Sequence, residues 1–245
     1  IWTPDGKAYM VFAFAKSRAG INDVLALIEI DPECRRTIGD YSVIFDGSLI
    51  APISEGPKIY MRDGYYYILF PAGGVERGWQ CCIRSHSIHG PYEYRVVMHQ
   101  GKSPVTGPHQ GGWITAPDGS DWFIHFQDVI ELGRVIHLEP MRFMPDGWPV
   151  IGSDADGDGI GEPVPRWKEP VADAPHYSIP VSDEFDGPSL SLQWQWQANP
   201  DASFYSLSER KGYIRMRCCK NPLRENLLWY APNALTEIPH GDEFT

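Results

Sequence analysis

Three times in the first half of the chain a turn carrying Asp-Gly is flanked by aromatic, β-prone residues. The three copies are Trp2-Thr-Pro-Asp5-Gly6-Lys-Ala-Tyr9-Met-Val-Phe12, Ile59-Tyr-Met-Arg-Asp63-Gly64-Tyr-Tyr-Tyr-Ile-Leu-Phe70 and Trp113-Ile-Thr-Ala-Pro-Asp118-Gly119-Ser-Asp-Trp122-Phe-Ile-His-Phe126. Their Asp-Gly steps lie 58 and then 55 residues apart. Asp-Gly between apolar residues marks a hairpin, because both positions tolerate positive φ. Each unit continues with a further strand-like segment, over 24–30, 80–85 and 134–140. Each then closes on a turn and another strand, over 39–45, 90–97 and 146–151. Four antiparallel strands recurring at such a period predict the blade of a β-propeller. Nothing has sustained helical periodicity with caps at both ends, so the expected class is all-β.

After Ile151 the texture changes. An acidic, Gly-rich loop, Asp154-Ala-Asp156-Gly-Asp158-Gly, leads into a proline-rich stretch from Pro163 to Pro180. This divides the chain into a propeller domain over 1–152, a loop and linker over 153–181, and the start of a β-sandwich domain over 182–245. Strands of the last are expected over 190–196, 213–218 and 227–230.

With 24 Gly, 22 Pro, 9 Trp and 12 Tyr, composition fits short strands and tight turns. The formal net charge of −11 offers no basic stripe for a polyanion, so no nucleic-acid partner is expected. No run of 18 apolar residues calls for a membrane span. Cys34, Cys81, Cys82, Cys218 and Cys219 are odd in number and include two vicinal pairs, which suits strand residues and free thiols rather than a disulfide framework. The compartment stays open, with an extracellular or periplasmic one slightly favoured. The chain opens inside a strand-like pattern without Met and is expected to be an internal portion of a longer polypeptide.

The repeat also predicts where a site forms, since equivalent positions ahead of each unit's first strand converge on a propeller axis. Glu55 precedes Asp63 by 8 residues and His109 precedes Asp118 by 9, similar slots in successive units. These segments carry a resemblance. Ser54-Glu55-Gly56-Pro57-Lys-Ile-Tyr60, with Gly64-Tyr65-Tyr66-Tyr67 and Ala72-Gly73-Gly74, resembles the general-acid blade of glycoside hydrolase family 43. Gly107-Pro-His109-Gln-Gly-Gly-Trp113, Gly133-Arg134 and Asp146-Gly-Trp148-Pro149 match the same family. Ala13-Phe-Ala-Lys-Ser-Arg18-Ala-Gly20 is similar to the arabinofuranosidase and β-xylosidase subgroup that carries a C-terminal sandwich module.

The resemblance implies a five-bladed propeller, of which this chain holds about three blades, followed by part of a concanavalin-like β-sandwich. It implies an inverting hydrolase of α-L-arabinofuranosyl or β-D-xylosyl linkages, acting on oligosaccharide or polysaccharide. Glu55 takes the place of the general acid. The aspartate base and a second, pKa-tuning aspartate are expected ahead of residue 1. Such an acid donates its proton to the leaving oxygen, and burial or a neighbouring negative charge keeps a carboxyl protonated for that purpose.

His109 resembles the family's axial histidine, which holds a calcium through water, and Arg134 resembles the arginine that reaches the sugar. Gln110, Trp79, Phe126 and Gln127 are candidates for the pocket rim, where rings stack on sugar C–H faces and amides meet hydroxyls. Asp154, Asp156 and Asp158 imitate the first half of an EF-hand loop, but the twelfth position is Pro165. A structural calcium there is the alternative to a solvated acidic turn. No organic cofactor is expected. Trp194, Trp196 and Trp229 suit either a sugar groove or core packing. Two other functions compete, a carbohydrate-binding propeller without catalysis and a propeller scaffold for protein partners.

Overall fold

The computed structural model describes residues 1–245 except 131, 176, 178, 179, 181, 220–230, 232 and 238–245. It divides into two units, Ile1–Ala174 and Pro175–Thr245. The first unit is three successive up-and-down sheets. Strands β1 (Ala8–Ala13), β2 (Val24–Ile30) and β3 (Thr37–Asp46) pair in that order. Next come β4 (Lys58–Arg62), β5 (Tyr65–Ala72), β6 (Trp79–Ser85) and β7 (Glu93–Met98). Strands β8 (His109–Thr115), β9 (Asp121–Val129), β10 (Gly133–Phe143) and β11 (Pro149–Ile151) form the third sheet. The expected repeat is therefore present, with one correction. In the first unit the strand ahead of the Asp5-Gly6 turn is reduced to a single bridge, Trp2 with Ala8, and the sheet has three strands.

The turns explain the regularity. Thr3-Pro4-Asp5-Gly6, Ala116-Pro117-Asp118-Gly119 and Met144-Pro145-Asp146-Gly147 close alike: each glycine N–H donates to the carbonyl three residues back. The glycines stand at φ of 82°, 83° and 77°, a left-handed conformation that side chains resist. Proline supplies the preset φ at the second position. At Asp63-Gly64 both residues have positive φ, 50° and 79°, giving the two-residue hairpin between β4 and β5.

The middle sheet is buried on both faces, which accounts for its nearly continuous apolar strands. Ile68 and Phe70 pack with Leu25 and Ala51 of the first sheet region, while Tyr67 and Leu69 pack with Phe123, Met141 and Trp148 of the third. Adjacent strand residues point to opposite faces. Cys81 therefore enters the first cluster and Cys82 the second, and both are free thiols, as are Cys34, Cys218 and Cys219. Burial pushes the Cys81 thiol up to about 12 and that of Cys82 higher still, so both are inert hydrophobes. On the far face of the third sheet Ile124, Ile136 and Leu138 are exposed, as are Tyr41 and Val43 on β3.

Helix is confined to Lys16–Ala19 and a single 3-10 turn, Ala202–Phe204, among the described residues. No described helix is long and apolar enough to cross a membrane.

The second unit is also β, with shorter strands than the sequence suggests. β12 (Trp194–Trp196) pairs with β15 (Leu235–Glu237), and β13 (Tyr205–Ser206) with β14 (Arg215–Met216). Residues 190–193 fall outside the strand, where the Ser191 hydroxyl turns back to donate to Asp183 and to the Gln193 side-chain oxygen. Such local bonds compete with a ladder. The expected strand over 227–230 and Trp229 lie outside the described residues.

Candidate active site

Glu55 sits in the loop ahead of β4, and His109 is the first residue of β8. Successive units thus deliver them from similar places, and they meet: Glu55 Oε1 lies 3.2 Å from His109 Nε2. The two side chains differ in environment. Glu55 is 43% exposed, whereas the imidazole of His109 is fully buried. Both ring nitrogens of His109 lack an aligned hydrogen bond. Burial lowers the pKa of His109, with the Glu55 carboxylate opposing and the Arg134 charge adding to the depression.

The loop that presents Glu55 is held from below. Its backbone N–H donates to Pro71 O at 3.2 Å, and the buried Ser54 hydroxyl donates to Ala51 O at 2.6 Å. Room for the histidine depends on Gly78, where a Cβ would stand 2.3 Å from Gly74 O and 3.0 Å from the imidazole Cδ2. Gly56, at φ 52°, leaves space for the Gln110 amide, whose Oε1 would meet a Cβ at 1.9 Å.

The other expected site residues sort into two groups. Phe126 is buried 5.6 Å from His109, ring to ring, and the Arg134 guanidinium lies over the Phe126 ring, 4.6 Å from its centroid. With Gln110 these gather around the Glu55–His109 pair. Gln127 instead spends its amide on Thr106 Oγ1, at 3.1 Å, and Pro104 O, bracing the loop before β8. Trp79 lies against Gly73, whose missing Cβ would be 2.4 Å from the indole, and packs with the cluster around Phe70. Arg18 belongs to the exposed Lys16–Ala19 turn.

Two residues escaped sequence reading. Asp128 faces Arg134 across β9 and β10 and its charge acts on His109. Gln80 is fully buried in β6 and bonds the backbone on both sides of His109. Its one visible signal was a lone amide between Trp79 and Cys81-Cys82-Ile83, since a polar group inside a buried strand needs a partner.

Asp154, Asp156 and Asp158 bring one carboxylate oxygen each within 4.8 Å of one another. The loop's own amides already use an oxygen of each: Gly157 and Gly159 donate to Asp154, Asp158 to Asp156, and Ile160 to Asp158.

The model of glycosyl hydrolases family 43 matches residues 1–149. The chain belongs to that family. Residues 182–237 match the β-xylosidase C-terminal concanavalin A-like domain. A putative β-xylosidase of Xylanibacter ruminicola is 37% identical over 99% of this chain and 46% of its own length. A β-xylosidase of Formosa agariphila is 37% identical over 74% of this chain and 33% of its own. The crystal structure of xylan β-1,4-xylosidase from Bacillus halodurans superposes with a TM-score of 0.76 at 26% identity, covering 90% of this chain and 44% of that one. The chain thus spans half or less of the length of these family 43 relatives.

Proposed function

We propose that the whole protein is a five-bladed family 43 propeller with a C-terminal sandwich, hydrolysing α-L-arabinofuranosyl or β-D-xylosyl linkages of hemicellulose with inversion. The repeated sheets, and the apolar side chains exposed on the outer faces of the first and third, support further blades packed against them. The observation that carries the site is the Glu55–His109 approach of 3.2 Å, with Glu55 still open to solvent.

In this reading Glu55 protonates the glycosidic oxygen as the bond to the anomeric carbon breaks. A carboxylate on the opposite face, supplied by another blade, takes a proton from the attacking water, with ~6.5–9.5 Å between the two groups. His109 and Phe126 wall the acid, and the Arg134 guanidinium and Gln110 amide meet sugar hydroxyls. The domain boundaries follow the sequence division at 1–152, 153–181 and 182–245.

A calcium held through water suits His109, whose two buried nitrogens are unpartnered. It would pin the imidazole and offset nearby negative charge. The Asp154, Asp156 and Asp158 carboxylates would hold a second, bracing ion.

The test is kcat/KM of the complete polypeptide on a xylo-oligosaccharide and on an activated aryl pentoside, wild type against Glu55→Ala. General-acid assistance is worth ~10²–10⁴-fold, and a phenolate leaves without it. The oligosaccharide should lose that factor and the aryl pentoside much less, with thermal unfolding unchanged. Equal losses would remove Glu55 from the acid role, and no turnover of either substrate by the wild type would favour a carbohydrate-binding protein without catalysis.

A further inference from the structure

The strand that delivers His109 is irregular where it matters. The pairing of β8 with β9 shifts between His109 and Gly112, Gln110 stands at φ 50°, and Gly111 at φ 141°. Such a bulge re-aims a side chain but leaves backbone groups without ladder partners. A side chain from the neighbouring sheet replaces them. Gln80 Nε2 donates to Pro108 O at 3.0 Å and to Gln110 O at 2.7 Å, the two carbonyls that bracket His109.

Gln80 is fully buried, and its own Oε1 has no partner among the described residues. Burying an unpaired amide oxygen is unfavourable, so the residue is retained there for its two donors. The orientation of the amide follows from chemistry, because the reversed one would set Oε1 against two carbonyl oxygens. Two residues before Gln80, Gly78 also abuts the ring: a Cβ there would stand 3.0 Å from the imidazole Cδ2. The ring thus abuts the backbone at Gly78 and is carried by a bulge that Gln80 holds.

We infer that Gln80 is a positioning residue of this site: its amide clamps the β8 bulge, and so sets the reach of His109 toward Glu55. The inference rests on the reading of Glu55 as the acid. Gln80 acts through the backbone and touches neither substrate nor the reacting atoms.

The experiment is a double-mutant cycle in the complete polypeptide, measuring kcat/KM on a xylo-oligosaccharide for Gln80→Met, His109→Ala and the pair. Gln80→Met keeps length and shape while removing both donors. A misplacement near 1 Å costs about 10²-fold, and a loss of that order is expected. Adding Gln80→Met to His109→Ala should then cost little more than His109→Ala alone, because the clamp has no ring left to aim. Independent sites would instead multiply their losses. Multiplied losses, or a Gln80→Met loss that only follows the folded fraction in thermal unfolding, overturn the inference. If Gln80→Met does not accumulate, Gln80→Glu serves in its place. Its protonated carboxyl donates one hydrogen bond instead of two, so an intermediate loss with the same non-additivity is expected, and multiplied losses again overturn the inference. The leaving-group comparison on Glu55→Ala separates the two levels. Equal losses there sink the acid reading and this inference with it, whereas unequal losses with a multiplying cycle sink only the role of Gln80.

Discussion

His109 approaches Glu55 to 3.2 Å, and His125 approaches Glu139 to 3.4 Å, so the described residues of the first unit include two His–Glu pairs of nearly equal separation. Their surroundings differ. Glu139 is 1% exposed, and its second oxygen accepts from Val164 N at 2.8 Å. His125 also meets Phe126 O with Nδ1 and stacks on His137 at 5.4 Å. This pair is closed and bonded on both members. In the other, the carboxylate is open to solvent and the imidazole is buried without an aligned hydrogen bond. A buried polar group normally finds its partners, so the unpartnered His109 ring beside an open carboxylate is the feature on which the proposed role of this pair rests. Residue type and separation do not distinguish a catalytic pair from a structural one; solvent access and unused donors and acceptors do.

The comparison can be broken by substitution. Beyond the activity loss of Glu55→Ala, the largest effect is expected for Glu139→Ala, measured as stability. It strands the Val164 N–H and the His125 ring in the interior, and an orphaned buried group costs about 1–3 kcal/mol. Chemical denaturation of the first unit's transition should move accordingly, while kcat/KM of the folded fraction stays near wild type. A catalytic defect at unchanged stability would reverse the roles assigned to the two pairs.

An intermediate effect is expected with pH. Burial holds the pKa of His137 below its ordinary value, with the nearby His125 adding to the depression, and burial does the same for His109. Because the folded pKa values are the lower ones, the unfolded chain takes protons first as pH falls. The stability contribution is therefore full above the unfolded pKa near ~6.5 and is lost as pH drops through it toward the folded values. Urea unfolding at stepped pH should show this decline, and His137→Gln should make it shallower. An unchanged slope would mean that the histidine stack does not govern the decline.

The smallest effect belongs to Glu55→Gln. With the side chain half in water and no aligned hydrogen bond to lose, unfolding should shift within about 0.5 kcal/mol. A larger destabilisation would make Glu55 a structural partner of His109 after all.

The sequence by itself determined the three repeated units, their Asp-Gly turns and the slots of Glu55 and His109. These are local or periodic properties: a glycine that must take positive φ, a proline with preset φ, an alternation of apolar residues. The pleat of β6 likewise sends Cys81 to one face and Cys82 to the other. What lay beyond such local pattern was whatever depends on partners distant in the chain. Gln80 meets carbonyls 28 and 30 residues away, and no pattern within β6 shows that a bulge in β8 waits there. Gln127 was read as a rim residue, yet its amide bonds the loop at Pro104 and Thr106, 23 and 21 residues back. The strand expected over 190–196 shortened to Trp194–Trp196, and ahead of it the Ser191 hydroxyl donates to Asp183 and to the Gln193 side-chain oxygen, bonds that compete with a strand ladder. Whether a carboxylate beside a histidine is closed or open, as Glu139 and Glu55 are, follows from what packs over it, and only the tertiary structure decides that.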